Sequence, residues 1–408
     1  MIEQFLRDPL TLSRMREGPL GEYLDLYATE LSGQGYARRT VREQLWLIAR
    51  FSWWLQSNDI SLAEVSISDA TKYLEQRNRR IRRGEFYSLQ RILRILQEAG
   101  VIDTKPICEC RTPIDELTDQ FAHYLRHERG LAATTIRSYA DCIRKFLSER
   151  FGGAEVEYSL LRPIDIVGFV KSQALHSKRI LVMTNALRAF FRYAHYQGFI
   201  NINLAAIVPP VANWQMTTVP KALPSHQVEQ VIASCDRQTA TGRRNYAILL
   251  LLARLGLRAG EIASLTINDI DWQTGCITVH GKGDHLSQLP LPPDAGEALA
   301  AYLQNGRPQT ANRYVFLRGK APVVNFTSQR AIGNVVRRAL IRAGIDVPRK
   351  GAHQFRHALA TQMLQRGASL PEISQVLRHR SAQATEIYTK VDLVSLRALA
   401  MPWPGGVR

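Results

Sequence analysis

The sequence predicts a mainly α-helical protein, in which two small helical domains precede a third domain that combines helices with a small antiparallel sheet. Apolar residues recur at helical spacing through most of the chain. The segment 1–102 resembles the segment 114–206, and short β-type segments flank a Gly-Lys-Gly-Asp turn at 281–284. A chain of 408 residues is long enough for two or three domains of about 100–200 residues each.

Two proline-containing segments with little apolar periodicity, 103–113 and 207–224, predict linkers. They separate an N-terminal helical domain (1–102), a second helical domain (114–206) and a mixed domain (225–390). A tail, 391–408, follows; its apolar stripe is stopped by prolines.

The first two helical segments match one another in order along the chain. The matched pieces are Gly35–Val41 with Gly130–Ile136, Asp69 with Asp165, and Gly100–Ile102 with Gly198–Ile200. Each segment also opens with an apolar helical stripe. Chance similarity between amphipathic helices is the alternative, but the conserved order of the matches favours a tandem pair of related domains.

In the third segment, helices are expected from about Ser225, from about Asn245, and over about 294–304, 328–344, 355–366, 371–378 and 383–389. Strands are expected around Cys276–Val279 and Leu286–Pro290. The turn between them makes a hairpin.

The charge balance favours a polyanionic partner, most often nucleic acid. There are 53 lysines and arginines against 36 acidic residues, for a net charge of +17. A basic protein without such a partner is the alternative. Arginines repeated on matching helices are candidates for phosphate contacts that set register without reading sequence. They are Arg38, Arg39, Arg42, Arg126, Arg137 and Arg144.

The remaining composition is that of a soluble globular chain, with 45% hydrophobic and 22% charged residues. The longest apolar run is too short to span a membrane, and the N-terminus has no secretory signal pattern. Five scattered cysteines indicate a reducing compartment rather than a disulfide framework. We therefore expect a cytoplasmic protein without a membrane partner.

Six residues of the third segment could act together on a phosphate. They are Arg258, Lys282, His353, Arg356, His379 and Tyr388. Taken singly, each has an ordinary structural explanation, such as a capping arginine or a core tyrosine. His353 and His357 have the spacing of a zinc site, but Gln354 stands where a metalloprotease would need its glutamate, so no metal is expected.

Taken in order, these residues resemble the catalytic set of the tyrosine recombinase, or phage integrase, family. The motifs that carry the resemblance are Gly256–Ile262, Gly281-Lys282-Gly283, His353-Gln354-Phe355-Arg356-His357, Leu377–Ser381 and Tyr388. The match covers 225–390, and the second helical segment resembles the family's core-binding domain, which clamps the duplex. Arg378 departs from the pattern because a glycine is more usual there, and Gln288 stands where a basic residue often follows the hairpin lysine.

The resemblance implies a role for each catalytic residue. Tyr388 attacks the phosphorus to form a 3′-phosphotyrosine, while Arg258 and Arg356 bind the non-bridging oxygens and His379 donates a further hydrogen bond. His353 is the candidate base and Lys282 the general acid; Glu261 and His357 are expected to support them. No cofactor, metal or ATP is required.

The resemblance also implies partners. They are double-stranded DNA carrying specific recombination sites, a homotetramer assembled on DNA through a Holliday junction, and accessory recombinases or DNA-bending proteins. The tail could dock on a neighbouring protomer or pack on its own domain. A bacterial, nucleoid-associated or mobile-element setting fits this family. Whether the task is integration, excision, transposition or resolution stays open at this point.

Three other functions stay open at this point. A type IB topoisomerase uses a similar site to relax supercoils without pairing duplexes. A non-catalytic DNA-binding architectural protein would explain the charge and the repeats, but it would not need the catalytic set. A helical protein-interaction module would explain the first domain alone.

Overall fold

The computed structural model describes residues 2–6, 8–77, 83–102, 112–152, 154–174, 180–211, 222–281, 285–379, 381 and 383–391. Two compact units are present: Met1–Asp103 with Thr218–Arg408, and Thr104–Thr217. The predicted fold class, mainly helical with one small antiparallel sheet, is confirmed. No helix in the described ranges is both long and apolar enough to cross a membrane.

The first domain packs its helices around a core that includes Tyr27, Leu31, Leu45 and Phe51, all fully buried. Its helices are α1 Pro9–Arg16, α2 Leu24–Gly33, α3 Arg38–Ser57, α4 Ile67–Gln76 and α5 Arg83–Glu98. Short 3-10 turns lie at Ile2–Gln4, Gly21–Tyr23 and Leu62–Glu64.

The second domain has its own core, centred on Phe121, Phe146, Phe190 and Phe191. Its helices are α6 Pro113–His127, α7 Ala133–Phe151, α8 Pro163–Ala174 and α9 Ile180–Tyr196, with 3-10 turns at Tyr158–Leu160 and Leu204–Ala206. Helix α6 begins at Pro113 because Thr112 and Asp115 cap each other's backbone N–H groups. The helix therefore starts at the last residue of the predicted linker.

Helices α2–α5 and α6–α9 follow one another in the same order, and their burial patterns agree. Residues 36–45 and 131–140 agree at every position in whether they are buried, half-buried or exposed, and so do 87–96 and 185–194. Both members of each matched glycine pair, at 35 and 130 and at 100 and 198, have the positive φ that suits glycine. The sequence similarity thus has a matching pattern of buried faces.

The third domain surrounds α11, whose middle turns are fully buried. Its helices are α10 Ser225–Ala233, α11 Ala240–Leu255, α12 Ala259–Ser264, α13 Pro293–Asn305, α14 Gln329–Arg342, α15 His353–Gln365, α16 Leu370–Leu377 and α17 Gln383–Glu386. A 3-10 turn, Ile387–Val391, continues α17.

The sheet consists of β1 Ile270–Asp271, β2 Cys276–His280 and β3 Leu286–Pro290, paired antiparallel in that order. Ile277 lies opposite both Ile270 and Leu289, which fixes the register. The hairpin strands are where the sequence predicts them, whereas the two-residue β1 was not predicted.

Helix α11 begins five residues before the start expected near Asn245. Thr239 caps it, because its hydroxyl accepts the N–H of Gly242 at 3.0 Å. Arg244 in the first turns is buried and donates to the Leu317 carbonyl at 2.8 Å. A buried arginine breaks the apolar periodicity, so the sequence pattern did not show this start.

The first and third domains touch within their shared unit. The Val323 N–H donates to the Gln34 carbonyl at 2.9 Å, at the turn between α2 and α3. A Cβ added to Gly35, whose φ is +75°, would lie 2.8 Å from a methyl group of Val323. The close approach therefore requires glycine at this turn.

The buried position of α11 makes its leucines sensitive to truncation. We expect Leu251→Ala to lower the free energy of unfolding by about 2–5 kcal/mol, because it leaves a cavity in the core. Leu286→Ala, at a residue that is 64% exposed, is the matched control and should have little effect. Equal effects in chemical denaturation would contradict this packing.

Candidate active site

Arg356 connects three helices at the centre of the site. It lies on α15, is 3% exposed, and donates to the carbonyls of Gly256, at 2.6 Å, and Leu377. These carbonyls end α11 and α16, so they are among the unpaired, partly negative groups of a helix C-terminus. Both helices therefore end beside Arg356. Arg258 and His379 follow these ends closely in the chain, so they also lie near Arg356.

Arg258 is held by a buried carboxylate. It precedes α12, and Glu261 accepts both its backbone N–H, at 2.8 Å, and its Nη1, at 2.7 Å. Burial alone would raise the pKa of Glu261, but the N–H of Arg258 and the charges of Arg378 and Arg258 lower it below its ordinary value. The Arg258 side chain is still 39% exposed. It is therefore anchored at one side and open at the other.

Tyr388 lies in the 3-10 turn after α17 and is 2% exposed. Its hydroxyl is 3.0 Å from Nδ1 of His357, a hydrogen bond, and its ring stacks on His379 with 6.4 Å between centroids. Burial raises the pKa of the phenol, and the charge of Arg356 opposes that rise. The phenol is thus protonated and covered in this structure.

The histidines of the site are uncharged at neutral pH. His353 and His357 lie one turn apart on α15, with ring centroids 5.0 Å apart. Burial is the main cause that lowers the pKa of His357 to about 4, and the neighbouring His353 and Arg356 add to this effect. Burial also lowers the pKa of His379 to about 4, and the charges of Arg356 and Arg258 add to this effect. Both imidazoles are therefore neutral, and each ring can donate one hydrogen bond and accept another.

His379 is oriented by Thr385, which the sequence reasoning missed. The Thr385 hydroxyl lies 2.6 Å from Nδ1 of His379, and Thr385 itself is buried. A hydroxyl that donates to Nδ1 leaves the ring proton on Nε2, the nitrogen available to a ligand. A threonine six residues after a histidine carries no recognisable sequence signal.

The structure brings together most of the predicted site. Arg258, Glu261, His353, Arg356, His357, His379 and Tyr388 lie around one locus. The structure differs from the prediction for the base. His357, and not His353, makes the hydrogen bond to the phenol. On α15, His357 lies one turn further along the helix, where it faces the turn that carries Tyr388.

Two predicted parts of the site lie outside the described residues: Lys282, and the tail from 392 to 408. The strands that flank Lys282 are described, and the Gly281 N–H donates to the His285 carbonyl at 2.8 Å. This bond extends the β2–β3 pairing by one residue on each side.

The candidate phosphate contacts of the helical domains fall into two groups. Arg38, Arg42, Arg126 and Arg137 are exposed. Arg39 pairs with Glu43 at 2.9 Å, and Arg144 pairs with Asp115 at 2.8 Å, so their charges are partly compensated.

Sequence reasoning missed a groove of the second domain. Two of its aromatic residues, Tyr124 and Tyr139, line it with Arg129, Arg188 and Arg192. These arginines come from α9 and the turn after α6 and are not adjacent in sequence. Arginines beside aromatic rings suit a nucleic-acid surface.

The lowered pKa values of His357 and His379 make stability depend on pH. Their pKa values are about 4 in the folded chain, against about 6.5 when unfolded, so the unfolded chain binds more protons between these limits. Stability should therefore fall as the pH falls from about 6.5 towards about 4. We expect the melting temperature of the wild type to drop more on acidification than that of a His357→Asn, His379→Asn variant. Equal drops would contradict the neutral, buried state of these rings.

Comparison with known proteins agrees with this geometry. The profile of the Phage integrase family matches residues 221–393, and that of the Phage integrase, N-terminal SAM-like domain matches 118–198. The protein named integrase/recombinase y4rA of Sinorhizobium fredii is 42% identical over 407 residues, 99% of each chain. Tyrosine recombinase XerC of Thermodesulfovibrio yellowstonii is 32% identical, covering 68% of this chain and 92% of that protein.

Solved structures share the fold. XerH site-specific recombinase bound to palindromic difH substrate superposes with a TM-score of 0.55 at 22% identity, covering 75% of this chain and 93% of that one. A lambda integrase dimer bound to a COC' core site gives 0.51 at 16% identity, covering 67% and 94%. The sequence relatives show that the chain belongs to the phage integrase family of tyrosine recombinases, which are DNA recombinases.

Proposed function

We propose that this protein is a site-specific recombinase that cuts and rejoins duplex DNA through a covalent bond to Tyr388. One observation carries the proposal: the phenol lies against His357 and His379, beside the guanidinium of Arg356. Within the family shown above, a tyrosine in such surroundings is the expected nucleophile.

Groups of this chain can accept and supply the protons that the cleavage step transfers. The phenol oxygen of Tyr388 attacks the phosphorus as its proton passes to a histidine, and the bond from phosphorus to the 5′ oxygen breaks. His357 is the acceptor already in hydrogen-bond contact, with His353 one turn away on α15. The negative charge of a bound phosphate would raise the pKa of His357 from the value of about 4 that burial and the neighbouring positive charges set, and so favour this transfer. Lys282 gives the 5′ oxygen a proton. The products are a 3′-phosphotyrosine and a 5′ hydroxyl, and attack by a partner strand's hydroxyl reverses the step without ATP.

The guanidiniums of Arg258 and Arg356 can offset the negative charge of the phosphodiester. Each terminal nitrogen of a guanidinium has two hydrogens, so Arg356 keeps an N–H on both Nη1 and Nη2 after bonding the helix carbonyls. Arg258 has an exposed side, and Nε2 of His379 can donate a further bond. Donors fixed in this way stabilise the charge that develops on the non-bridging oxygens.

Burial of Tyr388 supports a link between assembly and cleavage. A phenol that is 2% exposed is closed to a DNA strand, and a shift of the segment around 383–391 would open it. We propose that the tail, 391–408, docks on a neighbouring protomer of a homotetramer and that this docking releases the segment. The second domain clamps the duplex, while accessory recombinases or bending proteins set direction. Action on bacterial DNA would place the protein with the nucleoid.

The other functions are less well supported. A type IB topoisomerase would relax plasmids that lack any specific site. An architectural protein would have no use for a phenol placed between two neutral histidines and a buried guanidinium.

The first domain is best explained as a second copy of the duplex-clamping domain. Its helices and burial pattern match those of α6–α9, as described above. The copies differ in charge: Glu30 pairs with both Arg94 and Arg91 in the first domain, on the side that corresponds to the arginine groove of the second. We infer that phosphate contacts in the first copy come instead from Arg38 and Arg42, which line a separate groove with Phe5 and Leu6.

Replacement of Tyr388 by phenylalanine tests the nucleophile. The wild type is mixed, in EDTA and without ATP, with a library of nicked duplexes that carry a randomised central segment. We expect a protein–DNA adduct that survives denaturation and whose enriched strands reveal the site. Tyr388→Phe should form no adduct but should keep its affinity for the recovered duplex, and Tyr314→Phe should behave as the wild type. An adduct formed by Tyr388→Phe would refute the assignment.

Replacement of Arg38 and Arg42 tests the first domain. Loss of two phosphate contacts should weaken binding to a duplex of arbitrary sequence and make the dependence of log K on log salt shallower by about 2. Arg14→Ala, which removes an exposed arginine of α1, is the control. An unchanged salt slope in the double variant would favour a protein-interaction role for the first domain.

A further inference from the structure

Arg378 occupies a backbone position that suits glycine better. It follows the last residue of α16, with φ 54° and ψ 50°, the left-handed conformation that often ends a helix. An L-residue is disfavoured there, because its Cβ lies too close to the following carbonyl oxygen. Residues held in such conformations cluster at functional sites, so the side chain of Arg378 needs an explanation.

The side chain of Arg378 is buried against the anchor of Arg258. It is 11% exposed; Nη2 donates to Oε2 of Glu261 at 3.0 Å, and Nη1 donates to the Val376 carbonyl at 3.1 Å. Its Nε is buried without a hydrogen-bond partner among the described residues. The guanidinium is thus incompletely satisfied, and its strongest contact is to one carboxylate.

Glu261 is shared between two cations. Its Oε1 accepts Nη1 of Arg258 at 2.7 Å, while its Oε2 accepts Nη2 of Arg378 and the backbone N–H of Arg258. The carboxylate carries one negative charge and the two guanidiniums carry two positive charges. The cluster therefore keeps a net positive charge, and Arg258, which is the more exposed partner, presents it outward.

A direct contact between Arg378 and DNA fits the geometry less well. Nη2 of Arg378 is paired with the carboxylate of Glu261 at 3.0 Å, which offsets its charge. Arg356, in contrast, bonds only to carbonyl groups and keeps its charge for a phosphate. The backbone carbonyl of Arg378, moreover, accepts Nη2 of Arg258 at 3.2 Å. Through this bond and through the shared carboxylate of Glu261, Arg378 acts on Arg258.

We infer that Arg378 is a positioning residue for the proposed cleavage: it shares Glu261 with Arg258 and so leaves the charge of Arg258 available to the scissile phosphate. The inference rests on the proposed function. Without Arg378, Arg258 would be the sole cationic partner of a buried carboxylate, and the pair would hold each other more tightly in surroundings of low dielectric constant. The phosphate would then meet a neutralised guanidinium.

The test uses the full chain and the duplex recovered from the covalent-capture library. Arg378→Gly suits the backbone and removes the guanidinium. We expect its single-turnover rate of adduct formation at saturating protein to fall on the order of ten- to a hundredfold, as when one electrostatic donor of a site is lost. Its melting temperature and its affinity for the duplex should stay close to those of the wild type. Arg366→Gly, which removes an exposed guanidinium at the end of α15, is the matched control and should keep the wild-type rate.

Glu261→Gln in the Arg378→Gly background separates the possible causes. Glutamine can still accept the Arg258 N–H but carries no charge, so it should restore much of the lost rate. Arg378→Lys, which keeps a charge beside Glu261, should lie between the wild type and Arg378→Gly.

Four results would overturn the inference. They are a wild-type rate in Arg378→Gly, a loss that follows weakened duplex binding, a loss that follows thermal unfolding, and a double variant no faster than Arg378→Gly. A wild type that captures no strand from the library would overturn the proposed function itself.

Discussion

The buried guanidinium of Arg356 is the constraint on which the rest of the site depends. An arginine that is 3% exposed needs partners, and it finds them in the C-terminal carbonyls of α11 and α16. Those helices are far apart in sequence, yet the residues just beyond their ends, Arg258 and His379, are thereby placed beside Arg356. One buried cation therefore fixes the positions of three groups.

The electrostatics of the site follow from this crowding. Burial and the neighbouring arginines Arg258 and Arg378 lower the pKa of Arg356 to about 10, which leaves it protonated at neutral pH. Glu261 is the buried carboxylate of the cluster, and the histidines are held neutral. A site with excess positive charge and neutral imidazoles is suited to bind a phosphate. In the proposed reaction, its phenol stays covered until the phosphate is bound.

Much of this architecture could be predicted from the sequence, because local signals set it. Helical periodicity, the hairpin turn and the ordered motifs around Arg258, His353, Arg356 and Tyr388 indicated the fold class and the family. The sequence pattern assigned the base to His353, whereas His357 makes the hydrogen bond to the phenol. The two histidines share one helical face, and only tertiary packing decides which of them meets Tyr388. Thr385 and the groove around Arg188 were missed, since each depends on residues that folding brings together.

The central claim, that these side chains surround one phosphate, is tested most directly by a structure of the protein with a nicked cognate duplex and orthovanadate, which adopts the five-coordinate geometry of phosphoryl transfer. We predict that the Tyr388 oxygen is an axial ligand of vanadium, and that Arg258, Arg356 and His379 lie within hydrogen-bond distance of the equatorial oxygens. A vanadium centre with another protein atom in the axial position, or with both guanidiniums turned away from it, would contradict the account.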